Sequence, residues 1–141
     1  MTDNNCAYCA EGELVAKFGI KICEMDTCKV YLFKEQSHRG RVIAAHKKHV
    51  GDMTELTTEE RAAYFEDIAK ISSVLQKLFK PQKINYGAYG DTGHHLHFHL
   101  VPKYSDDDFE WGGTFAMNPD RKYLSETEYN DLVDAIKNNL K

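Results

Sequence analysis

The chain has 141 residues, of which 42% are hydrophobic and 28% charged, and its formal net charge at pH 7 is −4. This length and composition are typical of one soluble globular domain, and the acidic balance argues against non-specific binding to duplex nucleic acid, which needs a basic surface. No apolar run approaches the ~20 residues that cross a bilayer, and the N-terminus has no secretory signal, so we expect a cytoplasmic protein without membrane partners.

Five segments predict β-strands because each is short, rich in β-branched or aromatic residues and bounded by polar connectors. In chain order they are Ile20–Glu24, Lys29–Phe33, Arg41–Ala45, Gln82–Tyr86 and His94–Val101. A helix separates the third strand from the fourth, so strands and helices do not alternate as they do in a parallel α/β protein. The order predicts an α+β fold with a five-stranded antiparallel sheet.

One long and one short helix are predicted. Thr57 and the glutamate three residues later form a capping box, and apolar residues then recur at intervals of four and three as far as about Phe79, before a proline. The short helix is predicted to begin at Ser125, which starts a second capping box, and to run to about residue 140.

The last predicted strand carries the most informative pattern, since its histidines alternate with apolar residues. Residues two apart in a strand share a face and lie ~6.6 Å apart, so His95, His97 and His99 would form a row opposite a core-facing row. Such a row on an open face has no packing purpose. It suits metal binding through neutral ring nitrogens, or covalent catalysis in which a ring nitrogen attacks phosphorus.

A glycine-rich connector over residues 85–93 leads into the histidine row. Glycines let backbone N–H groups approach an anion closely, so its position favours phosphate binding.

Cys6 and Cys9 have the C-x-x-C spacing that brings two thiolates to one tetrahedral metal ion. A thioredoxin-like redox pair would follow a strand, and no strand is predicted before this pair. Two histidines would complete a four-ligand site. The alternative is a pair of reduced thiols without metal.

The segment His95-Leu96-His97-Phe98-His99-Leu100-Val101 resembles, position for position, the His-φ-His-φ-His-φ-φ signature of the histidine triad (HIT) superfamily. The stretch from Gly40 to His49 is similar to the family's Gly-His…Pro-Lys-x-His segment, with His46 in place of the proline. This resemblance implies a single HIT domain over residues 1–141, with a core over about 6–111 and a C-terminal helix over about 125–140. It also implies a homodimer whose protomers share one continuous sheet.

The resemblance implies a nucleotide substrate cleaved at its α-phosphate, as in nucleoside phosphoramidates or dinucleoside polyphosphates, through a nucleotidyl-histidine intermediate. His97 would be the nucleophile, and a positively charged His99 would contact the phosphate and assist proton transfer. Asn85 and Thr92 stand at positions where the family has polar phosphate or catalytic contacts.

Zinc-containing bacterial members of the family are similar in pairing a C-x-x-C motif with the first triad histidine and one upstream histidine. By that resemblance, Cys6, Cys9, His49 and His95 would hold a structural zinc ion, with His46 as the competitor of His49.

Two positions depart from the family pattern. Phe33 stands where many members carry an acid that holds the ribose hydroxyls, with Glu35 two residues on, and Asp91 stands where a glutamine is frequent. These departures point to a substrate that differs from the best-known adenosine phosphoramidates.

Three accounts of function follow. The first is an enzyme, favoured because His97 is a nucleophile that a zinc site does not need. The second is a non-catalytic module that senses nucleotide or metal. In the third, all three triad histidines hold a metal ion that activates water, and the cysteines lie outside the metal site.

Overall fold

The computed structural model describes residues 5–91, 93–106, 110–115 and 117–141. Five strands form one sheet in the order β1-β2-β3-β5-β4, and every neighbouring pair is antiparallel. The strands are β1 (Gly19–Glu24), β2 (Cys28–Phe33), β3 (Val42–His46), β4 (Lys83–Gly87) and β5 (His97–Lys103). The predicted α+β fold with a five-stranded antiparallel sheet is therefore confirmed.

Two of the helices are the predicted ones, and two are not. The helices are α1 (Ala7–Ala10), α2 (Glu13–Ala16), α3 (Thr58–Phe79) and α4 (Glu126–Leu140), and a 3-10 turn at Met53–Glu55 precedes α3. Both predicted capping boxes are formed, at the starts of α3 and α4. The sequence prediction missed α1 and α2, because a helix of four residues is too short to show a periodic pattern.

In the described part of the chain, no helix combines the length and the hydropathy that a membrane-spanning segment needs.

The last strand is shifted relative to its prediction. It begins at His97 rather than His94, so His95 lies just before the strand and outside the expected row. The chain before β5 still follows β3 closely: the N–H of His46 donates to the carbonyl of Leu96 at 3.0 Å, and the N–H of Leu96 donates to the carbonyl of Val50 at 2.8 Å. These bonds continue the pairing beyond the end of β3 and hold His95 in place.

The two faces of the sheet carry different clusters. On one face, α3 and α4 cover the main core, which includes Ile71, Leu100 and Ile136. On the other face, α1 and α2 lie near a smaller cluster that includes Tyr8 and Ile43. Strand alternation therefore divides β5 between the core and the second face, which is the one that carries the histidines.

The connection between β2 and β3 passes close to the end of α3. Gly40 has a φ of +91°, and a Cβ atom there would lie 2.7 Å from the ring of Phe79. A side chain is excluded both by the left-handed backbone and by this contact. The connection is thereby fixed directly before β3, the strand that pairs with β5.

Candidate functional site

Four metal-ligating side chains meet beside the start of β5. Cys6, Cys9, His49 and His95 each place one donor atom within 4.8 Å of the other three. The Nδ1 atom of His95 lies 3.3 Å from Sγ of Cys6 and 3.1 Å from Nδ1 of His49, and Sγ of Cys9 lies 3.3 Å from Nδ1 of His49. Two thiols and two imidazoles are a donor set that structural zinc sites use.

The ring of His95 is oriented toward this cluster by the backbone. Its Nε2–H donates to the carbonyl oxygen of His46 at 2.6 Å, and because a carbonyl only accepts, Nε2 carries the proton. In the neutral ring, Nδ1 then presents its lone pair to the thiols. Burial lowers the pKa of His95, which favours that neutral form. A second hydrogen bond of this kind is what orients metal-binding histidines in proteins.

His46 stays outside the cluster. Its Nδ1 accepts the N–H of Lys48 at 3.0 Å, and its ring packs edge-on against Tyr64 of α3, with 4.8 Å between the ring centroids. Strand alternation places it on the helix-covered face. Of the two upstream histidines that the resemblance offered, His49 is therefore the one that joins Cys6, Cys9 and His95.

The cluster contains only one histidine of the triad. Among the described residues, the group that could hold a metal ion combines His95 with both cysteines of the C-x-x-C pair. The account in which all three triad histidines share a metal ion needs the opposite arrangement, with His97 and His99 as ligands and the cysteines elsewhere. The geometry does not favour that account.

One ring nitrogen of His97, Nδ1, is hydrogen-bonded to the backbone, which leaves Nε2 for another role. Its Nδ1–H donates to the carbonyl oxygen of His95 at 2.7 Å, so the neutral ring carries its lone pair on Nε2. Burial lowers the pKa of His97 and favours the neutral ring. The ring lies beside Tyr8 of α1, with 5.2 Å between centroids. These contacts leave an oriented, unprotonated nitrogen on the second face of the sheet.

His99 is held in a different way, by a guanidinium group. Nε and Nη2 of Arg41 lie 3.2 and 3.1 Å from Nδ1 of His99. Because a guanidinium only donates, Nδ1 is the acceptor and Nε2 carries the proton. Burial, and secondly the positive charge of Arg41, lower the pKa of His99 to about 3. The positive charge that we expected on His99 lies instead on Arg41.

Arg41 is the residue of this site that the sequence analysis missed. Only 5% of it is exposed. Its guanidinium carbon lies 4.2 Å from the centroid of the Phe33 ring and 5.1 Å from that of Phe115. The one signal in the sequence is its position directly after Gly40, where the family segment quoted above has histidine.

Neither Phe33 nor Glu35 offers a free carboxylate for a ribose. The ring of Phe33 packs edge-on against His99, at 5.4 Å between centroids. The carboxylate of Glu35 accepts from Oγ of Ser37 at 2.6 Å and from the N–H of Lys122 at 2.7 Å. Burial alone would raise the pKa of Glu35, but these donors hold it below its usual value. Glu35 thus ties the chain before α4 to the end of β2.

Of the two further residues expected to contact phosphate, the structure describes Asn85. Asn85 of β4 pairs with Val101, on the face that carries His99, and lines a cavity of about 270 Å³ with Trp111. Gly87 pairs with His99 directly, and a Cβ atom there would lie 2.5 Å from the ring of Phe115. Thr92 lies outside the described residues, so its predicted role stays a prediction.

Comparisons with known proteins identify relatives of this chain. The model of the HIT domain family matches residues 19–106. The chain is 25% identical over 111 residues to Protein hit of Bacillus subtilis, covering 74% of each chain. It is 28% identical, over an alignment of 145 positions and 97% of each chain, to an uncharacterized HIT-like protein of Mycoplasma genitalium.

Solved structures show the same fold. A histidine triad protein of Bradyrhizobium japonicum superposes with a TM-score of 0.83 at 18% identity, covering 92% of this chain and 96% of that one. A zinc-bound histidine triad family protein of Mycobacterium smegmatis has a TM-score of 0.67 at 20% identity, covering 96% and 92%.

His99 should make the protein less stable in mild acid. Because the folded pKa of about 3 lies below the ordinary histidine value of ~6.5, protons bind the unfolded chain first as the pH falls. The stabilisation is complete above ~6.5 and decreases below it, so lowering the pH from near 7.5 to near 5.5 should remove about 1.4 kcal/mol through this group.

Urea unfolding of the wild type and of His99→Asn at both pH values, with equal metal content, measures this share. The wild type should lose more stability than the variant by that amount. An equal loss in both proteins would contradict the assignment.

Proposed function

The chain belongs to the HIT domain family, and we propose that it is a nucleotide hydrolase or nucleotidyltransferase that acts at the α-phosphate through a covalent nucleotidyl-histidine. The observation that carries the proposal is the hydrogen bond from Nδ1 of His97 to the carbonyl of His95, because it leaves Nε2 of His97 as an oriented nucleophile. Nucleoside phosphoramidates and dinucleoside polyphosphates are the substrate class, on the family resemblance.

In the first step, the lone pair on Nε2 of His97 attacks the α-phosphorus. The bond from phosphorus to the leaving nitrogen or oxygen breaks, and the leaving group takes the electron pair and a proton from the solvent. The imidazolium formed on His97 is stabilised by its bond to the carbonyl of His95, which strengthens when the ring is charged.

In the second step, water attacks the same phosphorus, releases a proton to the solvent and displaces Nε2 of His97, which returns to the neutral form. The Nε2–H of His99 is a donor for a phosphoryl oxygen in both steps, and the charge of Arg41 lies directly behind it. Fixed donors and charges of this kind stabilise the negative charge that develops on phosphoryl oxygens. Asn85 and Thr92 are the proposed further phosphate contacts.

We propose further that Cys6, Cys9, His49 and His95 hold one structural zinc ion. The donor set and the hydrogen bond that turns Nδ1 of His95 toward the thiols support this. Two thiolates and two imidazoles fill a tetrahedral ion, so no position is left for a reacting water. The ion would cross-link the start of α1 to the chain before β5.

A homodimer is proposed as well. In the described part of the chain β4 is an edge strand, paired only with β5. Large side chains are exposed on and near it, with Tyr86 at 50% and Trp111 at 47%. A free strand edge with exposed aromatic groups suits pairing with a second copy, and the resemblance implies a sheet shared by two protomers.

His97→Ala should reduce kcat/KM on a nucleoside 5′-phosphoramidate or a dinucleoside tetraphosphate at least about a thousandfold, because the variant lacks the attacking atom. His99→Ala should cost less, since it removes a donor only. The matched control is His94→Ala, at an exposed histidine of the same segment. Mass spectrometry of a quenched reaction should detect the nucleotidyl-protein in the wild type.

Near wild-type turnover by His97→Ala on every nucleotide that the native protein cleaves would contradict the mechanism. Tight nucleotide binding by the wild type without any product would favour the non-catalytic sensing module.

Cys6→Ser and Cys9→Ser should lower the zinc content from one ion per chain and reduce the melting temperature by more than about 5 °C, because a cross-link is lost. Elemental analysis and thermal unfolding measure both effects. Cys23→Ser is the matched control, as Cys23 is a partly buried free cysteine of β1 outside the cluster. Zinc loss of equal size in the control, or a fully stable metal-free wild type, would overturn the assignment.

Light scattering should give a mass of twice the 16.2 kDa of one chain. A species of single-chain mass alone, at micromolar concentration, would contradict the homodimer.

A further inference from the structure

Arg41 is a buried cation that forms no ion pair with a carboxylate of the described residues, although the charge of Glu35 acts on it from a longer distance. Its Nη1 is buried without a hydrogen-bond acceptor among those residues. Burial lowers the pKa of Arg41 to about 10, so the group is still charged at neutral pH. Burying an unpaired charge and leaving a donor unsatisfied both destabilise a fold. The fold itself does not explain the arginine.

The contacts that Arg41 does make converge on one atom. Nε and Nη2 both point to Nδ1 of His99, at 3.2 and 3.1 Å. The rings of Phe33 and Phe115 lie near the guanidinium and restrict its movement. Two donors on Nδ1 exclude a proton from that nitrogen, so the neutral imidazole has only the tautomer with the proton on Nε2.

We propose that Arg41 is a positioning residue, which holds His99 as a neutral Nε2–H donor and itself supplies the positive charge of the site. The use of that donor for a phosphoryl oxygen rests on the proposed function. The tautomer and the charge of His99 do not.

The other groups around His99 support the neutral form. His97 of the same strand faces it, at 5.4 Å between ring centroids, and a charge on either ring opposes a charge on the other. Phe33 of β2 and Phe115 of the C-terminal segment are uncharged. The carboxylate of Glu35 favours the charged form of Arg41. Glu35 therefore favours the positive charge on Arg41, and the charge of Arg41 opposes one on His99.

The direct test is the side-chain 15N spectrum of the zinc-loaded wild type, with His99 assigned by the signals lost in His99→Gln. We expect a protonated Nε2 and an unprotonated Nδ1, with neither signal moving between about pH 5.5 and about pH 8. A proton on Nδ1, or titration within that range, would overturn the proposal. This measurement needs no variant of Arg41 to fold.

The variants give a second readout. Arg41→Met keeps an apolar chain near the two rings but has no donor and no charge, so His99 should show both tautomers and titrate at a higher pH than in the wild type. Its kcat should fall at least about tenfold with KM changed less than about threefold. Arg41→Lys, which keeps the charge without the two-pronged contact, should show mixed tautomers and an intermediate rate.

Arg39→Met is the matched control, since Arg39 is an exposed cation two residues away that lies near the rings of Phe79 and Tyr104. It should keep the wild-type spectrum and rate. A wild-type tautomer in Arg41→Met would overturn the proposal. Absence of nucleotide cleavage by the wild type would refute the proposed function, and the spectrum would still decide the role of Arg41.

Discussion

Each ring of the histidine triad has one nitrogen committed to a neighbour, and the chemistry of the site depends on this division. The carbonyl of His46 accepts from Nε2–H of His95, and the carbonyl of His95 accepts from Nδ1–H of His97. The guanidinium of Arg41 donates to Nδ1 of His99. The other nitrogen of each ring is therefore different. Nδ1 of His95 has its lone pair toward two thiols, Nε2 of His97 has its lone pair on the open face, and Nε2 of His99 is an N–H donor. Three identical side chains acquire three different properties from their different hydrogen-bond partners.

Much of this arrangement could be predicted from the sequence, because strand alternation and C-x-x-C spacing are local patterns. Alternation predicted that His97 and His99 share a face, and the spacing of Cys6 and Cys9 predicted a metal-binding pair that needs two histidines. The family resemblance supplied His95 and the choice between His49 and His46. The position of His95 before the strand could not be predicted, since it depends on hydrogen bonds beyond the end of β3. Arg41 was missed because a buried cation in a strand connection leaves no periodic signal, and only the fold brings it to His99.

One residue from before the sheet in the chain and one from after it lie on the face that carries the histidines. Tyr8 of α1 lies beside His97, while Phe115 lies over Gly87 and near Arg41. The carboxylate of Glu35 accepts the N–H of Lys122 and so attaches the chain before α4 to the end of β2. The sheet carries the histidines, and the rings of Tyr8 and Phe115 are apolar neighbours that help to desolvate them. This desolvation is the main cause of the lowered pKa values of His97 and His99.

The cysteine and histidine cluster also constrains the order of events in folding. Cys6 and His95 are 89 positions apart in the chain, so contact between them closes a long loop with a large entropy cost. We expect the donor atoms to meet only after β3 has paired with the chain leading into β5, because hydrogen bonds of that pairing hold His95 in the native structure. Metal capture would therefore come late, after most of the native topology has formed, and would act by slowing unfolding more than by accelerating folding.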